Sequence, residues 1–230
     1  MARPRTPQSL KQRLFANNVI KPVIYCEGPH EYSYLSKLVE LHVIKDYQQG
    51  IKLQATAIKL RINAIKRDLN NESIEQIMWI VDGGDVHIKN SKEFKNFYAQ
   101  WLSKRENEWS KLHILINSPC LEYWFLLHHI DSPTDDKNCV TCFADATSLE
   151  NSKEFKQYCP RGKGAELVKL TAKNVSGRKK AIKRAKKLLS LLTDLHEKNR
   201  FVVARAEIFY LFDEASKAYI GLPVTVSKLT

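Results

Sequence analysis

Three short apolar runs in this chain end in residues that can do chemistry. Val23-Ile24-Tyr25-Cys26 stops at Glu27, Ile77-Met78-Trp79-Ile80-Val81 stops at Asp82-Gly83-Gly84-Asp85, and residues 112–116 stop at Asn117, with Glu122 shortly beyond. Such runs, bounded by turn residues, read as buried strands. In an open parallel sheet the carboxyl ends of the strands share one edge, where loops converge on a rigid frame. Carboxylates collected there repel one another unless a cation sits among them. Oxygen ligands of this kind suit Mg²⁺ or Mn²⁺ and leave positions for phosphate oxygens, which points to metal-dependent phosphodiester chemistry. The plainer alternative is that Asp82 and Asp85 form a turn and cap the next helix. His87 is a candidate ligand or phosphate contact, although a loop histidine is commonly neither. Asn117 or Ser118 reads chiefly as the cap of a helix with Pro119 in its first turn. Glu122, about one turn into that helix, can support a ligand or a second cation.

A second feature is electrostatic. Residues 161–200 hold 13 Lys or Arg against Glu166, Asp194 and Glu197, a net +10 out of the +12 of the whole chain. Arg178, Lys179, Lys180, Lys183, Arg184, Lys186 and Lys187 follow one another with no acid between them, on the face opposite Ala181, Ala185, Leu188, Leu192 and Leu195. A charged helix face is often only solvated. Seven cations in one such stretch favour contact with a phosphate backbone, salt-sensitive and largely blind to base sequence. Arg161 and Lys163, flanked by Gly162 and Gly164, extend that binding surface. An acidic protein surface would satisfy the same charges.

To position these groups, residues 21–130 alternate β-like and helical patterns, the signature of successive βα units and a mainly parallel sheet. The expected order is strand 23–26, helix from Pro29 to 43, β-like 52–58, helix to 69, strand 77–81, helix 91–109, strand 112–116 and helix 119–129. Residues 131–160 read as an irregular excursion, 177–199 as the basic amphipathic helix, and 205–217 as one more helix. The chain divides into an N-terminal segment (1–20), an α/β core (21–130), and a remainder (131–230) that completes the same domain.

Composition excludes several classes. With 230 residues and 43% hydrophobic content the chain can build a packed core and is not a disordered protein. No apolar run reaches the roughly 18 residues of a membrane span, and residues 1–14 lack a signal peptide's apolar stretch, so the expected place is the cytoplasm, away from membranes. Five cysteines, an odd number, read as reduced thiols; Cys26 and Cys120 are small buried hydrophobes. Cys139 and Cys142 have half of a zinc spacing, but a second pair is missing. There is no Walker A sequence and no G-x-G-x-x-G, so nucleotide hydrolysis by this chain is unsupported, and an ATPase, if one is needed, comes from elsewhere.

The combination Ile24-Tyr25-Cys26-Glu27-Gly28, Trp79-Ile80-Val81-Asp82, and Asn117-Ser118-Pro119-Cys120-Leu121-Glu122-Tyr123-Trp124-Phe125-Leu126-Leu127-His128 resembles the RloB-like family. The last motif is the most specific. The resemblance spans residues 21–129, and residues 221–226 resemble the family's ending. RloB-like proteins are similar to compact members of the Toprim superfamily, with topoisomerase, primase and OLD-type nuclease domains, and occur beside restriction and phage-defence genes. The resemblance thus implies a Toprim-like (Rossmann-like) α/β fold with a mainly parallel sheet flanked by helices and a C-terminal basic helical extension. It implies a Mg²⁺-dependent nuclease acting on DNA or RNA/tRNA in anti-phage defence and regulated by an AAA- or ABC-type ATPase, with self-association left open. By this resemblance Glu27 is the general acid or base and Asp82 the first aspartate of the metal pair. The family pair is usually D-x-D, whereas position 84 here is Gly84 and the next carboxylate is Asp85. A displaced carboxylate also fits the alternative of an inactive nucleic-acid-binding or adaptor subunit.

Overall fold

The computed structural model describes residues 22–44, 50–53, 57–84, 90–130, 146–158, 168, 171–190 and 205–212. Its elements in chain order are β1 (Val23–Cys26), α1 (Pro29–Glu40), β2 (Ile51–Leu53), α2 (Ile58–Leu69), β3 (Ile77–Asp82), α3 (Lys92–Lys104) and β4 (Leu112–Ser118). After these come α4 (Leu121–Leu126), α5 (Ala146–Asn151), α6 (Lys153–Tyr158), α7 (Val175–Ser190), β5 (Arg205–Ala206) and a 3₁₀ turn at Glu207–Leu211.

The strands form a five-stranded sheet in the order β2-β1-β3-β4-β5. The first four are parallel, and β5 runs antiparallel on the outer edge of β4, with Asn117 opposite Ala206 and Ser118 opposite Arg205. The α/β class and the mainly parallel sheet flanked by helices expected from the sequence are therefore present. From β1 the chain crosses to β2 on one side and returns to β3 on the other, so the carboxyl ends of β1 and β3 are neighbours at a topological switch point. Such a point opens a crevice because the two crossover connections leave in opposite directions.

Both faces of the sheet are covered. Ile24, Cys26, Met78, Ile80 and Leu115 pack with Tyr34, Leu35 and Leu38 of α1, the apolar side chains of α4 and Ala181, Ala185 and Leu188 of α7. Tyr25, Trp79, Val81, Ile114 and Ile116 pack on the other face with Ile62 and Ile65 of α2 and Phe94, Phe97 and Trp101 of α3. Alternation along the strands thus places Asp82 and Asn117 on the face covered by α1 and α4.

Several boundaries differ from the sequence expectation for local reasons. Helix α1 ends before residue 43 because His42 adopts a positive φ of 55°. Of the expected β-like stretch 52–58, residues 52 and 53 lie in β2, residues 54–56 lie outside the described residues, and Ile58 instead opens α2. Ser91 accepts from the Phe94 N–H as the cap of α3, which stops at Lys104 rather than 109. Strand β4 runs two residues past 116, and α4 ends at Leu126. The excursion 131–160 contains α5 and α6, held down by buried Leu149 and Phe155. Helix α7 begins at Val175, with Asn174 accepting from the Gly177 N–H; residues 191–199 lie outside the described chain. The helix expected at 205–217 is instead β5 and the 3₁₀ turn as far as residue 212. There the Glu207 carboxylate accepts the Ile116 N–H (2.8 Å), so the segment satisfies the open edge of β4 rather than its own helical bonds.

Candidate functional site

The crevice beyond β1 and β3 is built from carboxylates. Glu27 directly follows β1, and its Oε1 lies 3.1 Å from Arg61 Nη1 of α2, with both side chains buried. Gly28 precedes α1, whose second and third residues are His30 and Glu31. A Cβ at Gly28 would stand 2.5 Å from Glu31 Oε2, so glycine there leaves room for that carboxylate. Glu31 is buried in the first turn of α1, where the helix dipole favours a negative charge. Asp82 ends β3, and Glu122 is buried in the first turn of α4, 3.5 Å from His30 Nδ1.

These groups act on one another. Burial, then the charges of Glu31, Glu27 and Glu122 together with a hydrogen bond to Glu31, push the Asp82 carboxyl well above its ordinary range. Its Oδ1 is buried without a hydrogen-bond partner among the described residues. A carboxylate crowded by three others holds a proton, or a cation in its place. The donors are hard oxygens, a set that suits Mg²⁺ or Mn²⁺. Among the described residues, no three carboxylate, histidine or cysteine side chains are gathered around a single point. Asp85 and His87 lie outside the described residues.

The glycine loop explains the departure at position 84. Gly83 N–H donates to Asn117 O (2.7 Å) and Gly84 N–H to Pro119 O, which fastens the end of β3 to the end of β4. A Cβ on Gly84 would meet Pro119 O at 2.5 Å. Position 84 therefore has no space for a side chain in this packing, and the carboxylates that face Asp82 come from the following helices instead.

Sequence reasoning placed Glu27, Asp82 and Glu122, and the structure brings all three together. It missed Glu31 and Arg61. Glu31 is the third residue of α1, a first-turn position visible once Pro29 is taken as the start of the helix. The expected capping role of Asn117 is overturned: the cap of α4 is Cys120, and Asn117 lies inside β4, fully buried, its Oδ1 accepting the Ile208 N–H (3.2 Å). Pro119 likewise precedes that cap, following a cis peptide bond. Cys26 and Cys120 are buried free thiols, as expected. Burial and neighbouring Glu31 and Glu27 raise Cys26 to about 12, and burial raises Cys120, so neither is a thiolate nucleophile. Cys139, Cys142 and Cys159 lie outside the described residues.

The basic helix divides in two. Lys179, Lys180, Lys183 and Lys187 are exposed, and Arg184 and Lys186 are half-buried. Arg184 donates to Leu127 O (2.7 Å), tying α7 to the end of α4. Arg178 does not belong to the exposed face. It is buried, donates to Ala172 O (3.1 Å) and lies 5.7 Å from the Phe212 ring. The signal was present, because Arg178 continues the Ala181, Ala185, Leu188 stripe three residues earlier. Arg161 and Lys163 lie outside the described residues. No helix among the described residues is long and apolar enough to cross a membrane.

No curated protein and no solved structure matches the chain. A family model described as RloB-like protein matches residues 23–208, running past residue 129 through the basic helix to the 3₁₀ turn. The matched span holds Glu27, Glu31, Asp82, Asn117 and Glu122 on one sheet edge, and the chain belongs to the RloB-like family.

Proposed function

We propose that the protein is a Mg²⁺- or Mn²⁺-dependent nuclease of Toprim type, acting on DNA or RNA in anti-phage defence. The observation that carries this reading is that Glu27, Glu31 and Glu122 lie near enough to Asp82 at the switch point for their charges to act on it, with Asp82 Oδ1 buried and, among the described residues, unpartnered. Asp82 is the ligand fixed by the sheet, and Glu31 and Glu122 are the ligands delivered by helices. A divalent cation held by these residues would supply polarisation of a phosphate oxygen and a lowered pKa for bound water. Arg61 orients Glu27, which accepts the proton of the attacking water or returns one to the leaving oxygen. Lys179, Lys180 and Lys183 attract the polyanion without reading its bases. The setting of RloB-like genes supports an ATPase of AAA or ABC type as a separate regulator.

One observation favours a second reading. Gly84 stands where the Toprim pair carries its second aspartate, and a site that has lost a ligand can persist as a nucleic-acid-binding or adaptor subunit. Labelled DNA and tRNA incubated with Mg²⁺ or Mn²⁺ separate the two. The nuclease cuts one of them, and both Asp82→Ala and EDTA abolish the cut. Tight, salt-sensitive binding without any metal-dependent product, even with the ATPase added, supports the adaptor.

A further inference from the structure

The ends of β3 and β4 carry a pair of buried polar atoms that the mechanism above does not use together. Asp82 and Asn117 are register partners on adjacent parallel strands and lie on the same face of the sheet. Strands in a sheet are about 4.8 Å apart, so the two side chains leave the sheet side by side. Asp82 Oδ1, an acceptor, and Asn117 Nδ2, a donor, are both buried, and neither has a hydrogen-bond partner among the described residues. Burying such groups without partners is unfavourable, so a fully buried asparagine with an idle amide marks a place where a polar ligand completes the bonding.

The amide orientation is settled by its other end. Ile208 N–H can only donate, so the atom it meets must be the Asn117 carbonyl oxygen, and the NH₂ group is necessarily the idle one. The residue is immobile as well. Its backbone carbonyl takes the Gly83 N–H, its side chain takes the Ile208 N–H, and its strand neighbour Ala206 closes the outer side. The first 3₁₀ turn after β5 is thereby made part of the site, far away in sequence.

We infer that the Asn117 NH₂ group is a hydrogen-bond donor to an oxygen of whatever binds beside Asp82, a metal-bound water or a phosphate oxygen of the nucleic acid. Two functions follow from one fixed donor. By engaging one lone pair it fixes the orientation of that oxygen, and it stabilises the negative charge the oxygen carries. Asn117 is therefore a positioning residue within the site, and its bond from Ile208 does more than hold the edge of the sheet: that bond selects which amide atom faces the ligand.

This inference rests on the metal-dependent reading above, and the test separates the two. Asn117→Asp keeps an oxygen acceptor for Ile208 N–H and replaces the NH₂ by an acceptor. Expected are a thermal midpoint within a few degrees of wild type, Mn²⁺ affinity by calorimetry equal to or tighter than wild type, and a kcat lowered at least ~10²-fold with KM little changed. Should the added carboxylate prevent folding, Asn117→Ala removes the donor without adding charge and is expected to show the same split between kcat and KM. A folded Asn117→Asp or Asn117→Ala variant that binds Mn²⁺ and cuts at the wild-type rate overturns the role of Asn117 while leaving the nuclease intact. Wild-type protein that neither binds Mn²⁺ nor cuts in its presence overturns both readings.

Discussion

Asp82 is a carboxylate held where ionisation is unfavourable, and that makes its removal informative in two opposite directions. Asp82→Asn takes away a charge that burial, Glu31, Glu27 and Glu122 all oppose. The metal-free variant is expected to be more stable than wild type at pH 7, read as a higher urea midpoint, because burial and three neighbouring carboxylates oppose the ionised form. The sign with pH follows from the direction of the shift. The folded protein binds the Asp82 proton more tightly than the unfolded chain, so this contribution is present below the ordinary carboxylate pKa of about 4 and is lost as pH rises through the raised value. The stability gap between variant and wild type therefore widens with pH. The same substitution should remove the rise in thermal midpoint that Mg²⁺ gives the wild type, and lower cleavage by at least ~10²-fold. A variant less stable than wild type without metal would show that the carboxylate has a favourable partner.

Among elements, the loop after β3 and helix α7 carry separable predictions. Gly84→Ala drives a Cβ to 2.5 Å from a backbone oxygen that cannot rotate away. It should lower the urea-derived stability by about 1–3 kcal/mol. Gly83→Ala meets Ser118 Cβ at 2.9 Å, an atom fixed to the strand, and should also destabilise, though less because the approach is less close. On α7 the exposed and buried cations should part company. Replacing Lys179, Lys180 and Lys183 with Ala should weaken nucleic-acid binding and flatten the dependence of log K on log salt by about 2–3, since each phosphate left without its cation removes about 0.9 from the slope. Arg178→Ala should leave that slope within about one of wild type and instead reduce stability by roughly 1–3 kcal/mol, through removal of the bond to Ala172 O. An unchanged slope for the triple variant would remove α7 from the binding surface.

Across the whole molecule, half-buried His113 and buried His128 both contribute acid sensitivity. Burial lowers both His113 and His128 to about 4; in His128 it outweighs the opposing effect of the Trp124 carbonyl. A histidine kept neutral in the fold takes up a proton when the chain unfolds, so stability is lost as pH falls from about 6.5 towards 4. Asp82 acts in the opposite sense over its own range. The histidine effect should therefore be cleanest in Asp82→Asn, as a urea midpoint that declines on acidification and flattens when His113 or His128 is replaced by Gln. A midpoint that stays level between pH 6.5 and 4.5 in that background would remove the histidines from the account.

Much of this arrangement was written in local pattern. Apolar runs closed by Glu27 and Asp82 reveal β1 and β3 and their carboxyl ends, because a fully buried strand tolerates no charge until it leaves the sheet, and the run before Asn117 reveals β4 to within two residues of its end. The α/β class, the parallel sheet and the position of Glu122 follow from the same alternation. What local pattern does not contain is which face a side chain meets. Glu31 looks like an ordinary acidic residue in a first turn until α1 is laid beside β3. Asn117 looks like a helix cap until β4 continues past it. Arg178 looks like one cation in a row until Phe212 arrives from the far end of the chain, and residues 205–212 look helical until the open edge of β4 claims their hydrogen bonds. These outcomes depend on interactions between segments distant in sequence, whose energies exceed the local preferences they override; the tertiary structure alone decided them.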